Sequence, residues 1–342
     1  MRASVIIRSK DEADRLRLTL ASLAAQTEKP EVVVVNDGSS DHTRQVVTEA
    51  AAGMDLAAIH HPQPAGRSAA ANAGAAKATG DVLLFLDGDT LAAPDLVAQH
   101  MKLHRASSNL VVRGETWHLR CTRPFLDPEA GTPRLGEETK VERMSSEERA
   151  RSVVTRQDIR EAFGGIDSRG QPGVYSGFGP RKLLELEMDA LNAHPDCDVL
   201  WAAASGSNQS VNRAAFLESD GFHHDLSINE HRELALRLCQ YGLRMAGTPA
   251  RTYHMIHRSG WRDPLQDTAW ERIFYNAHPI AEVALLPFLW GSLSDPIPFP
   301  AEACIKTLPE LAEVAEEYRG LKGLKTVRDA HLRATAGIME VK

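Results

Sequence analysis

Between residues 4 and 89 the chain alternates short apolar runs with stretches of helical spacing, and nothing else in the sequence limits the fold as tightly. Ser4-Val5-Ile6-Ile7 reads as a first buried strand, and Leu16, Leu20 and Leu23 then recur at helical spacing between Ala13 and Leu23. Glu31 to Val35 is a second, β-branched strand. It runs into the polar turn Asn36-Asp37-Gly38-Ser39-Ser40-Asp41 and a helix from Thr43 to Ala51. Ala57 to His60 is a weaker third strand, Gly66 opens an Ala-rich helix, and Val82 to Leu86 is a fourth strand, apolar enough to be buried on both faces. This order predicts an α/β fold with a Rossmann-like, mostly parallel sheet flanked by helices. Every turn at the C-terminal side of a strand carries Asp, Ser or Gly, which gathers the polar groups on the edge where such sheets bind ligands.

The fourth strand ends in Asp87-Gly88-Asp89. Two carboxylates at that edge can hold a divalent cation, because hard cations take oxygen ligands. Gly88 leaves room for a diphosphate beside the backbone. The same tripeptide is also ordinary turn chemistry, so the residues alone leave both readings open.

Composition narrows the classes. The 342 residues are 43% hydrophobic and 25% charged, with a net charge of -7, so they can build a substantial core but carry no polybasic signature for nucleic acid. Cys121, Cys197, Cys239 and Cys304 are scattered without zinc spacing, which fits a reduced, cytoplasmic setting. The first strand begins almost at once, leaving no signal-peptide apolar region. The apolar stretch Ile280 to Leu293 carries Glu282 and Pro287 and is too short to span a bilayer; it is expected to be buried or interfacial.

The ordered blocks Val5-Ile6-Ile7…Asp11-Glu12, Val35 to Asp41, Gly66 to Gly74 and Phe85 to Asp89 resemble those of the family 2 glycosyltransferases of the GT-A fold. The resemblance continues in Ser205 to Arg213, Asp220-Gly221-Phe222 and Asn229 to Leu238. It implies a metal-dependent, inverting transfer of a sugar from a nucleoside diphosphate donor, UDP-linked by preference, to an acceptor. By the same resemblance, Asp37 contacts the nucleotide base, Ser9 and Glu12 line that pocket, Asn72 belongs to the donor side, and Asp87 meets the ribose or sugar. Asp89 ligates a Mn²⁺ or Mg²⁺ ion. Ser207 and Asn208 are placed on the acceptor side, and His254, with His257 in reserve, completes the metal shell. Arg67 departs from the pattern, in which an Arg more often stands where this chain has Ala71; it can supply phosphate-facing charge or lie in solvent. The larger departure is His231, which occupies the position of the family's carboxylate base. His231 and its neighbour Glu230 are therefore both candidates for the base.

The remainder organises around these blocks. Residues 1–117 form the nucleotide-sugar half, 118–198 an acceptor-side insertion, 199–262 the acceptor half and 263–342 a partly helical C-terminal extension that can serve dimerisation. The insertion combines a charged, helix-compatible stretch, Glu137 to Phe163, with a Gly-rich loop from Gly170 to Gly179 containing Tyr175 and Phe178. Val199 to Ala203 is expected to be a strand, from which Trp201 offers a flat face to an acceptor or packs in the core. The expected acceptor is soluble, a small aglycone or a carrier-bound intermediate, with no membrane span and no nucleic acid involved. Two other functions share the sheet: a sugar nucleotidyltransferase, and a non-catalytic nucleotide-sugar-binding protein. The first normally shows a Gly-rich basic loop after the first strand, where this chain has Arg8-Ser9-Lys10-Asp11-Glu12; the second is supported by the His at position 231. A dinucleotide oxidoreductase is disfavoured, because no Gly-x-Gly-x-x-Gly follows the first strand.

Overall fold

The computed structural model describes residues 1–172, 183–257, 264–294 and 296–336. The expected alternation is present: β1 (Ala3–Ser9), α1 (Ala13–Ala24), β2 (Glu31–Asp37), α2 (Thr43–Ala51), β3 (Leu56–His61), α3 (Arg67–Lys77) and β4 (Val82–Asp87). The chain then adds β5 (Thr90–Ala92), α4 (Leu96–Ala106) and β6 (Leu110–Leu119). A small hairpin, β7 (Phe125–Asp127) with β8 (Thr132–Pro133), leads into four short helices, α5 (Glu138–Glu142), α6 (Ser146–Ser152), α7 (Arg156–Glu161) and α8 (Phe163–Asp167). After the short β9 (Gln171–Pro172) come α9 (Leu183–Ala193), β10 (Gln209–Asn212), α10 (Arg213–Glu218), α11 (Glu230–Gln240) and β11 (Arg244–Met255). Helices α12 (Ala269–Ala277), α13 (Ala281–Gly291), α14 (Leu308–Glu317) and α15 (Leu324–Ala336) close the described chain. Most of the expected Gly-rich loop, including Tyr175 and Phe178, lies outside the described residues.

The main sheet runs β3-β2-β1-β4-β10-β6-β11-β5, with β9 added beside β6. Strands β1 to β4 are mutually parallel; β10 lies antiparallel between β4 and β6, and β6 pairs parallel with β11. Side chains of alternate residues feed two cores. Val5, Ile7, Val32, Val34, Leu84 and Leu86 pack under α1, α2 and α4, while Ile6, Val33, Leu83 and Phe85 meet α3, Phe216, Phe222 and α11. The central strand is therefore buried on both sides, as its unbroken apolar run requires.

One local expectation is corrected. Val199 to Ala203 is not a strand; Leu200–Ala203 is a buried 3₁₀ turn, and the extended segment starts only at Gln209. A five-residue apolar run reports burial, and burial does not distinguish a strand from a helical turn. Pro249 to Met255 lies inside β11, whose pairing with β6 breaks register between Gly247 and Arg251. A proline is tolerated where the ladder is interrupted. The apolar stretch around Pro287 forms α13, buried from Ala281 through Gly291 except for Glu282, which matches a helix that is hydrophobic all round. Among the described residues no helix is long and apolar enough to cross a membrane.

Beneath the sheet, α4 is held by a buried polar chain. His100 Nε2 donates to Asn208 Oδ1 (2.8 Å), its Nδ1 meets Ser210 Oγ (2.7 Å), and His104 Nε2 meets the same hydroxyl (2.8 Å). Burial pushes both imidazoles down from 6.5 to about 4, so both are neutral at pH 7. The unfolded chain takes up protons near pH 6.5 that these rings refuse until about pH 4, so stability falls as pH drops through that window. The contribution is about 1.4 kcal/mol per pH unit for each ring. Melting curves between pH 7.5 and 4.5 should show this loss, and His104→Phe should make it shallower; an equally steep loss in the variant would assign it to other groups.

Candidate active site

β1, β2 and β4 end together, and their last residues carry the charge. Asp37 closes β2 with Oδ1 2.7 Å from His61 Nδ1 and 2.8 Å from Ala65 N, while Oδ2 accepts from Gly66 N at 3.0 Å. Its carboxylate braces the turn that starts α3. Ser9 closes β1, buried with its hydroxyl unpartnered. The room beside Gly88 is taken up by this serine: a Cβ there would lie 2.8 Å from Ser9 Oγ. Glu12 precedes α1 and reaches within 3.7 Å of His257.

Two residues past β4, Asp89 meets two imidazoles brought by the end of β11. His257 Nε2 is 2.7 Å and His254 Nε2 3.2 Å from Asp89 Oδ2, and one ligand atom from each of the three residues lies within 4.8 Å of the others. The sequence ranked His254 ahead of His257; the fold brings both. Backbone contacts set this arrangement. Met255 N donates to Asp89 O (2.9 Å), Arg15 Nε donates to Met255 O (3.3 Å), and Thr122 Oγ1 donates to Ile256 O (3.2 Å). Burial pushes the Asp89 carboxyl up, but the two imidazoles outweigh it and hold it well below the usual carboxylate range. The His254 imidazole, pushed down by burial, is raised on balance by Asp89. Burial holds the His257 imidazole below its ordinary value despite the same carboxylate. A carboxylate facing two imidazole nitrogens is a ligand set that suits a divalent transition-metal cation.

The second cluster centres on Arg8, which sequence reasoning missed. Its Nε donates to Asp87 Oδ1 (2.9 Å), Nη1 to Glu230 Oε1 (3.1 Å) and Nη2 to Gly206 O (3.0 Å). An arginine at the end of a buried strand was the available signal, since charge there needs partners. Arg67 approaches both oxygens of Asp87 at 3.4 Å, and Asp87 N donates to Ser207 Oγ (3.2 Å). Glu230 is buried, which alone would raise its carboxyl; neighbouring His231, Arg8 and Arg67 outweigh this and hold it well below the usual range. Burial and Arg232 hold His231 down at about 4 against the pull of Glu230.

Four expected contact residues turn inward. Asn208 is fully buried, its amide donating to Glu115 O and Ala250 O (both 2.9 Å), so it ties β10 to β6 and β11. Trp201 packs in the core against Phe274. Ser207 is buried under Asp87. Asn72 bonds both backbone groups of Phe222, donating to O (2.9 Å) and accepting from N (2.8 Å). The polar groups of Asn208, Ser207 and Asn72, and the ring of Trp201, are engaged within the protein itself.

Residues 4–119 match the description Glycosyl transferase family 2. Over 119 residues the chain is 40% identical to an uncharacterised glycosyltransferase of Bacillus subtilis, YfnE, covering 34% of this chain and 30% of that protein. Residues 4–119 are therefore similar to the family 2 glycosyltransferases over about a third of the chain. Over 86 residues it is 33% identical to the poly-beta-1,6-N-acetyl-D-glucosamine synthase of Staphylococcus aureus, covering 25% of this chain and 21% of the synthase. The matched stretch thus spans less than a third of either relative. Among solved structures, S. aureus TarS superposes with a TM-score of 0.52 at 16% identity, over 85% of this chain and 43% of TarS. The mannosyltransferase PcManGT of Pyrobaculum calidifontis, solved with GDP-Man and Mn²⁺, gives 0.50 at 18% identity, over 99% of this chain and 74% of its own. The two solved structures share the GT-A fold with this chain. The family match ends with β6, so the arrangement of Glu230, His231, His254 and His257 stands on geometry.

If the three converging groups hold a cation, calorimetric titration of the protein with Mn²⁺ should show one site, and Asp89→Asn should weaken it at least tenfold, about 1.4 kcal/mol. His257→Ala and His254→Ala should each weaken it too. Unchanged affinity in Asp89→Asn would remove the carboxylate from the site.

Proposed function

We propose that this protein is an inverting, metal-dependent glycosyltransferase that moves a sugar from a nucleoside diphosphate sugar to an acceptor nucleophile. The observation that carries the reading is the convergence of Asp89, His254 and His257 beside Asp87, at the end of the central strand. Two imidazoles in the ligand set favour Mn²⁺ over Mg²⁺, which prefers oxygen and retains its water. Held there, the cation would neutralise the diphosphate that leaves as the glycosidic bond breaks. Support for the donor class comes from TarS, solved with UDP-GlcNAc, and from PcManGT, solved with GDP-Man and Mn²⁺.

The chain's own residues divide the remaining work. In this reading Asp37, Ser9 and Glu12 border the nucleoside end, and Asp87 with Arg67 borders the sugar and phosphate. Arg8 stands between that half and Glu230. Of the two base candidates, we assign Glu230. His231 Nε2 already accepts from Arg232 Nη1 at 2.9 Å, so its lone pair is taken. Glu230 engages Arg8 through Oε1 and keeps Oε2 for the acceptor proton. The acceptor oxygen then attacks the anomeric carbon opposite the departing diphosphate, which inverts configuration. A diphosphate drawing Arg8 and Arg67 toward itself would loosen their hold on Glu230 and make it a stronger base, so donor binding prepares the acceptor step.

The test is a thermal-shift panel of nucleotide sugars with and without Mn²⁺, followed by donor turnover. One donor should raise the melting temperature chiefly when Mn²⁺ is present. Glu230→Gln should then cut transfer by about 10² to 10⁴ while donor binding survives. A binding protein without activity would show the shift but no turnover of any donor, and that outcome would replace this reading.

A further inference from the structure

We propose that Arg232 is a positioning residue for the acceptor step: it fixes the tautomer of His231 so that the ring presents Nδ1–H to Glu230. The proposal rests on the assignment of Glu230 as base. Arg232 is buried on α11 and uses its whole fork. Nε donates to Ala202 O (2.8 Å), Nη2 to Glu187 Oε1 (2.7 Å), and Nη1 to both Asn229 Oδ1 and His231 Nε2 (2.9 Å each). The guanidinium also lies over the Trp290 ring, 5.2 Å from its centroid.

A guanidinium has only donors, so His231 Nε2 must accept. A neutral imidazole with Nε2 accepting carries its proton on Nδ1. That atom is buried, has no hydrogen-bond partner, and lies 3.7 Å from Glu230 Oε2, just beyond hydrogen-bond reach. Gly206 covers the pair; a Cβ there would sit 3.3 Å from Nδ1. Arg8 already holds Oε1 of the same carboxylate. A small approach of the ring would place a donor on each oxygen, leave the second lone pair of Oε2 for the acceptor proton, and set the plane of Glu230 toward the acceptor. The neutral state this requires agrees with the depressed imidazole described above.

Arg232 is held from regions distant in sequence. Glu187 of α9 is shared with Arg113 of β6, and Trp290 belongs to α13 of the C-terminal region. Lysine cannot make these contacts together, because its ammonium is a single point donor group.

¹⁵N NMR of the imidazoles tests this directly, with the His231 signals identified as those lost in His231→Gln. At pH 7 the wild type should show an unprotonated Nε2 and a protonated Nδ1; the opposite tautomer overturns the proposal. Arg232→Met should release Nε2 to carry the proton. It should also lower kcat for transfer by about 10- to 100-fold with donor KM within about twofold. Arg232→Lys should recover only part of kcat, and an unchanged tautomer or unchanged kcat in Arg232→Met counts against a positioning role. If no donor is turned over at all, the glycosyltransferase reading fails while the spectrum still decides the tautomer.

Discussion

The site depends on one largely buried guanidinium. Arg8 joins Asp87, at the end of the strand beside it, to Glu230, 222 positions further along the chain, and to the carbonyl of Gly206 between them. Removing one partner from a buried ion network leaves an uncompensated charge, which is far costlier than the network is worth as a whole. The Rossmann-like half and the helix carrying Glu230 are thus locked in a single arrangement. The same contact leaves a positive charge between Asp87 and Glu230, where it answers to whichever neighbour is more negative.

Much of the first half was legible in the sequence because its signals are local. β-branched and apolar runs, Gly turns and helical spacing predicted β1 to β4 and the helices between them, and placed Asp37, Asp87 and Asp89 on one edge. What escaped depends on contacts far apart in the chain. β10 has only four residues, and its antiparallel place between β4 and β6 follows from tertiary packing rather than pattern. Asn208 looked like a ligand contact, yet its positive φ and four hydrogen-bonded groups make it the pin of three strands. His257 could be ranked second only because a sequence does not show that β11 breaks register and that Arg15 reaches across to Met255.

The C-terminal helices also gain a role that composition did not reveal. Glu233 of α11 accepts from His278 Nε2 (2.9 Å), and Trp290 covers Arg232, so the helix that begins at Glu230 is gripped along its buried side. Glu233 and Arg232 thus draw part of their contacts from a segment of the chain lying outside the matched family region. An appendage that satisfies buried charges is part of the fold it packs on.

The position of β10 also has a consequence for how the protein is made. β4 is the most apolar strand of the sheet's centre, and one of its two edges is covered only by Gln209–Asn212. On a ribosome, more than a hundred residues are synthesised after Val82–Asp87 before that cover exists. During this interval Val82 to Leu86 presents an uncharged, proline-free edge, the type of segment that pairs with other chains. Late arrival of the covering strand therefore makes the nascent chain, rather than the finished protein, the state most exposed to aggregation.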